Sequence, residues 1–401
     1  MERIILHIDV NNAFLSWSAI YLLKHGYKDD LRKKYAVIGG DEQNRHGIVL
    51  AKSPLAKSKG IKTADTLFSA RKKCSNLVII PPNYEWYQKM SKSLFKLISQ
   101  YTPDIEIMSI DECFLDFSPI KHLYKDPYVF ASNLQKEIWE KLEFTVNIGI
   151  ANNKLCAKMA SDFTKPNKIH TLYNNEITTK MWPLPINDLF GIGKRTTVKL
   201  KDLNINTIGD LAKCDPNYLY KYFKNQAFKM VEWANGIDES LVVSENSERK
   251  GISNSTTLSH NLVYKEEVYP VLEAISDNLA LELRRQKKYT SVIAVTLKDK
   301  YFKSYSHQVK LKNPTNITSE ISNTAKKLFD EMWNLEPIRL VGIRLDNLTE
   351  TATHQLSLFE TIETKDGLTK LDETVDKLKS KYGINIIKKA SLTENKIKKK
   401  Y

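Results

Sequence analysis

Ser109-Ile110-Asp111-Glu112-Cys113-Phe114-Leu115-Asp116 sets two adjacent carboxylates between strand-like halves at 105–110 and 113–117. On a regular strand, neighbouring residues point to opposite faces. Aiming Asp111 and Glu112 at one spot therefore requires a tight turn between the halves. A second strand-like run, Arg3-Ile4-Ile5-Leu6-His7-Ile8, ends in Asp9. If the two runs lie side by side, three acids meet. Such a group suits Mg²⁺, which takes one or two carboxylates and fills its shell with water and substrate phosphates. Two ions sharing carboxylates would stabilise both the attacking and the leaving oxygen of an in-line displacement. Read alone, the Asp-Glu pair is more readily a solvated hairpin turn.

Working outward, residues 1–170 alternate strand-like runs with helical ones. Strands are expected at 3–9, 35–40, 47–51, 77–80, 105–110, 113–117 and 144–150, and helices near 12–25, 84–101, 127–141 and 152–162. Residues 171–240 read as helical with short turns, and 241–250, polar from Ser244 to Lys250, have linker composition. Residues 251–348 run strand, helix, strand, strand, helix, strand, and a polar, lysine-ended tail occupies 349–401. The expectation is an α+β chain containing an antiparallel sheet, made of two globular bodies joined by a linker.

A length of 401 residues calls for more than one core. The net charge of +14 favours a polyanionic partner, since each cation placed on a phosphate releases counterions. Cys74, Cys113, Cys156 and Cys214 form no CxxC pair, which argues against a zinc site and against a disulfide framework. The N-terminal apolar run is too short and interrupted for a signal peptide, and no stretch approaches the ~20 apolar residues of a membrane span. A cytoplasmic, nucleoid-associated monomer with no membrane partner is expected.

Three segments in order then carry a resemblance. His7-Ile8-Asp9-Val10-Asn11-Asn12-Ala13-Phe14, Ser109 to Asp116, and Ile148-Gly149-Ile150-Ala151-Asn152-Asn153-Lys154-Leu155-Cys156-Ala157-Lys158 with Ser161-Asp162-Phe163-Thr164-Lys165-Pro166-Asn167 are similar to motifs of the Y-family DNA polymerases, the polymerase IV and UmuC type. The resemblance implies a right-hand polymerase. Residues 1–170 would be palm and fingers (fingers about 20–80), 171–240 the thumb, and 251–348 the little finger. It also implies translesion synthesis of low fidelity, from deoxynucleoside triphosphates on primer-template DNA. Asp9, Asp111 and Glu112 would be the catalytic acids and, with the Val10 carbonyl, the ligands of two Mg²⁺ ions. Phe14 falls on the steric gate that disfavours ribonucleotides. Lys57 and Lys165 fall where relatives grip the triphosphate. Ala13 and Pro54 depart from the pattern, which often has an aromatic at the first and a tyrosine at the second.

Gly191, Gly193, Lys194 and Arg195 open a unit resembling a helix-hairpin-helix, whose backbone amides can hold DNA phosphate without reading bases. Arg284 and Arg285, with Lys287 and Lys288, crowd the end of the first helix of 251–348 and suggest a duplex-gripping surface. Gln355-Leu356-Ser357-Leu358-Phe359 is similar to the bacterial sliding-clamp-binding peptide, whose Leu and Phe side chains fill an apolar groove. Two other classes remain. Gly39-Gly40-Asp41-Glu42 resembles a diguanylate cyclase signature, although Gln43 follows in place of an aromatic. A catalytically dead DNA-binding scaffold is the third class, opposed by the intact acids.

Overall fold

Six consecutive buried residues, Ile5–Val10, form strand β1, and burial on both faces demands a central place in a covered sheet. The computed structural model, which describes residues 3–41, 47–244, 249–351, 362–383 and 386–387, places it there. Helix α1 (Ala13–Lys24) follows. A small sheet comes next, of β2 (Ala36–Gly39), β3 (Val49–Lys52) and β4 (Val78–Ile80) in the order β3-β2-β4, with α2 (Pro54–Ser58) and α3 (Leu67–Lys73) between its strands. Pro54 has a local reason: it opens α2 behind Ser53, whose hydroxyl caps the amide of Ala56.

Helix α4 (Tyr84–Ile98) leads to β5 (Ile105–Ile107) and β6 (Glu112–Asp116), the single turn α5 (Lys121–Tyr124) and α6 (Pro127–Leu142). Then come β7 (Val146–Ala151), α7 (Lys154–Asp162) and β8 (Ile169–Leu172). The large sheet has the order β5-β6-β1-β7-β8, antiparallel except between β7 and β8. Its β1 register sets Asp9 opposite Glu112 on one side and Asn147 on the other. One face, through Leu6, Ile8, Cys113, Leu115 and Ile148, packs on Trp17, Tyr87, Leu94 and Ile138 of α1, α4 and α6. The opposite face carries His7, Asp9, Glu112 and Asn147, because directly paired residues share a face.

Four helices, α8 (Lys194–Asp202), α9 (Ile208–Ala212), α10 (Pro216–Phe223) and α11 (Gln226–Ala234), build on Ile5, Phe114 and α7 to complete the first unit's second core. Beyond α11 the chain returns to the sheet. Lys154 Nζ donates to the Leu241 carbonyl at 3.2 Å, and the Val243 amide donates to Glu106 Oε2 at 3.0 Å.

The second unit contains β9 (Gly251–Leu262), α12 (Lys265–Arg285), β10 (Tyr289–Asp299), β11 (Ser304–Thr315), α13 (Thr318–Met332) and β12 (Ile338–Thr349). The strands form an antiparallel sheet, β11-β10-β12-β9. Ile293, Val295, Val341 and Ile343 pack on Leu272, Leu279 and Phe329 of the two helices. A final helix, α14 (Ile362–Tyr382), lies within the stretch read from sequence as a polar tail and is tied to this unit by side chains described below.

Candidate active site

A polar row crosses the middle of the large sheet: Asn147 on β7, Asp9 on β1, Glu112 on β6. Asp111 stands just before β6, in the turn that returns Met108 N and Ser109 N to the Glu112 carbonyl. The same turn places the Asp111 carbonyl 3.0 Å from the Val10 amide. On a strand a residue's N–H and C=O point to the same side, so the Val10 carbonyl is directed toward the Asp111 turn. Asp9, Val10, Asp111 and Glu112, distant in sequence, are thereby neighbours.

Helix α7 lies over this face because β7 has a glycine beneath it. A Cβ on Gly149 would come 2.0 Å from the Ala157 carbonyl oxygen and 2.5 Å from the Ser161 nitrogen, which no side chain permits. The close approach delivers cations to the acids. Lys158 Nζ lies 2.6 Å from Glu112 Oε2. Lys165, in the loop after α7, pairs with Asp9 and lies 2.8 Å from Asp162 Oδ1. His7, fully buried and tilted on the Phe114 ring, has Nδ1 at 2.8 Å from Ser161 Oγ and Nε2 at 3.4 Å from Glu112 Oε2. The last contact is longer than that of Lys158, which lies on the same carboxylate oxygen.

The electrostatics follow. His7, then Lys158, hold the Glu112 carboxyl down to about 2 against the opposing effect of burial. Burial pushes the Asp111 carboxyl up, and the charges of Asp9 and Glu112 add to the rise, while the Ser109 hydroxyl, 2.7 Å from Asp111 Oδ1, works against it. Burial works against the charge of Lys165, but Asp9 and Asp162 outweigh it and raise its pKa. Burial lowers the pKa of His7. Among the described residues, no three His, Cys, Asp or Glu side chains already stand in metal-holding geometry. Two ammonium groups instead occupy the cationic positions beside Asp9 and Glu112, while Asp111 is strained by like charge. This donor set, all oxygen and excess negative, fits a hard divalent cation.

Phe14, in the first turn of α1, is half-buried and stacks on Tyr87 with centroids 4.6 Å apart, edge-on to Tyr84. Lys57 is exposed on α2 beside the small sheet, and among the described residues it pairs with none of the three acids. Its neighbour Lys52 is lowered in pKa by burial and then by the Lys57 charge. Gly191 adopts φ +91° against the Trp233 ring, and Gly193 is the N-cap of α8, leaving Lys194 and Arg195 exposed in the helix's first turn.

Arg284 requires a correction. Its guanidinium is turned onto α14, with Nε at 2.6 Å from Asp376 Oδ2 and Nη1 at 3.1 Å from Asp372 Oδ2, and it also donates to the Asn316 carbonyl at 2.7 Å. Only 10 % of the side chain is exposed, so the guanidinium anchors the tail helix rather than standing out toward solvent. Lys379 makes a second tie, 2.5 Å from Asp277 Oδ2. Arg285 remains exposed. Gln355, Leu356, Leu358 and Phe359 lie outside the described residues, as do Glu42 and Gln43 of the cyclase-like stretch, whose Gly39 ends a strand of the small sheet.

Lys158, His7, Asn11 and Asn147 are site residues that the sequence reading did not single out. The two-residue spacing of His7 and Asp9 on one strand was a usable signal, since it puts both on one face.

The solved structure of a Y-family DNA polymerase chimera of Dbh and Dpo4 superposes with a TM-score of 0.77 over 87 % of this chain and 100 % of its own, at 22 % identity. The fold is therefore the Y-family right hand, with palm, fingers, helical thumb and little finger. Residues 8–162 match the impB/mucB/samB family, 249–358 that family's C-terminal domain, and 174–205 its HHH motif. DNA polymerase IV of Clostridium acetobutylicum is 46 % identical over 99 % of this chain and 100 % of its own. That of Oceanobacillus iheyensis is 36 % identical over 96 % and 91 %, and DNA polymerase IV 1 of Bacillus subtilis is 33 % identical over 97 % and 93 %. The chain belongs to the impB/mucB/samB family of Y-family translesion DNA polymerases.

Proposed function

We propose that this DNA-directed DNA polymerase extends a primer 3′ end across damaged template with low fidelity, using two Mg²⁺ ions. The gathering of Asp9, Asp111 and Glu112 at one end of the central strands supports this reading most. These acids and the Val10 carbonyl would hold the ions, which when bound supply electrostatic stabilisation to the attacking and leaving oxygens. Lys165, with a partner in Asp9 that a metal can replace, is free to move its charge onto the incoming triphosphate. Lys57 adds a point charge there without the bidentate fork of an arginine. Phe14, braced by Tyr87, crowds the sugar 2′ position.

Residues 1–170 act as palm and fingers, 171–240 as thumb and 251–348 as little finger, with 241–250 the connection. Gly191, Gly193, Lys194, Arg195 and Arg285 contact DNA phosphate, and Gln355 to Phe359 binds the sliding clamp. Among the described residues no helix is long and apolar enough to cross a membrane, in keeping with work in the cytoplasm at the nucleoid.

Primer extension with Mg²⁺ on undamaged and abasic templates tests the reading. Wild type is expected to insert opposite both, and Asp111→Ala to lose about a thousandfold in rate. Wild type without incorporation would leave a DNA-binding scaffold. Cyclic dinucleotide made from GTP would favour a cyclase.

A further inference from the structure

The loop 163–168, which carries Lys165, has no helix or strand of its own, yet its backbone is fastened on both sides of that lysine. The fasteners are two buried amides that flank Asp9: Asn147, paired with it across the sheet, and Asn11, two residues after it. Asn147 Nδ2 donates to the carbonyls of Ser161 at 3.0 Å and Thr164 at 2.6 Å. Its Oδ1 accepts from Asn11 Nδ2 at 3.1 Å and from the Lys168 amide at 3.2 Å. Asn11 Oδ1 in turn accepts from Thr145 Oγ1 at 2.9 Å and from the Asn167 amide at 2.8 Å. The full capacity of the Asn147 amide is used, and a flipped amide would set its NH₂ against donors and its oxygen against carbonyls.

We propose that the Asn11–Asn147 pair is the positioning device that sets Lys165 over Asp9 and toward the incoming triphosphate. This rests on the reading of Lys165 as a triphosphate-binding residue. The side-chain hydrogen bonds of both asparagines go to the loop, to α7, to Thr145 and to each other, so both act on Lys165 through the loop. Only an amide serves at 147: a carboxylate would face the Ser161 and Thr164 carbonyls with no donor, and an aliphatic side chain would release the loop at two backbone points and the end of α7 at a third. The same two side chains link the end of β1 to β7, so the loop is fastened to the strands that carry and flank Asp9.

The test uses the full chain on primer-template DNA ending in a dideoxynucleotide, with the next deoxynucleoside triphosphate titrated for Kd. Incorporation rate at saturating nucleotide is measured separately on an extendable primer. Asn147→Leu and Asn11→Ala are each expected to weaken nucleotide binding about tenfold, while the saturated rate changes less than about threefold. Asn147→Leu combined with Lys165→Ala should bind no more weakly than Lys165→Ala alone. Wild-type affinity in Asn147→Leu beside a weakened Lys165→Ala would overturn the positioning role. Wild-type affinity in Lys165→Ala would overturn the triphosphate reading, and the proposal with it. Should Asn147→Leu fail to fold, Asn11→Ala, which releases the Asn167 amide and Thr145 Oγ1 and removes one donor from Asn147 Oδ1 but leaves the bonds of Asn147 to Ser161, Thr164 and Lys168, decides by the same two measurements.

Discussion

Cations meet carboxylates in both units of this chain, and the two meetings have opposite characters. In the large sheet Lys165 pairs with Asp9 and Asp162 with 38 % of its side chain still exposed, one ammonium leaning on two carboxylates within reach of solvent. In the second unit Arg284 is forked onto Asp372 and Asp376 and capped by a backbone carbonyl, with 10 % exposed. The first arrangement is exchangeable, whereas the second is a structural bolt holding α14 to α12. The difference lies in satisfaction and burial, not in residue type: a buried guanidinium with most of its donors committed inside the protein has little to offer phosphate.

Exchanging residues across this divide should show it. Arg284→Ala leaves two acids facing each other and is expected to lower the unfolding free energy by about 2–3 kcal/mol, measured by urea titration, with DNA affinity at fixed salt changed less than about twofold. Arg285→Ala should do the reverse: stability within about 0.5 kcal/mol, DNA binding weakened and its salt slope reduced by about one. If Arg284→Ala spares stability and weakens DNA binding, the bolt is an interface residue after all.

The acid site carries its own pH signature. Glu112 in the folded protein titrates at about 2, below its ordinary 4.5. A depressed carboxylate stabilises the fold above the unfolded pKa and loses that contribution as pH falls from about 4.5 to about 2. Allowing for solvent screening, the loss in metal-free buffer is of order 2 kcal/mol. Glu112→Gln should flatten this part of the stability curve, and an unchanged slope would dissociate Glu112 from its partners. The smallest expected effect is at the gate: Phe14→Ala should raise ribonucleotide use relative to deoxyribonucleotide about tenfold in single-nucleotide kinetics. Unchanged sugar selectivity would reduce Phe14 to packing on Tyr87.

Much of the fold was legible because it is written in local pattern. The strand expected at 3–9 is found over Ile5–Val10, and the first helix expected within 251–348 is found over Lys265–Arg285. Asp9, Asp111 and Glu112 were legible as an acid set. Lys158 and Asn147 were not, since their roles depend on α7 settling onto Gly149, a contact that no local periodicity encodes. Arg284 was misread for the same reason. A cationic cluster at a helix end says nothing about acids 88 and 92 residues further on. Pro54, read only as a missing hydroxyl, has a positive role in opening α2.

Single-turnover nucleotide incorporation by Asp9→Ala, Glu112→Ala and the double variant, with folding checked by circular dichroism, probes the shared site most directly. Acids that work as one unit predict that each single change removes about a thousandfold or more and that the double is no slower than the worse single. Near-wild-type rates in either single variant, or losses that multiply in the double, would show that the two carboxylates do not serve one reaction centre.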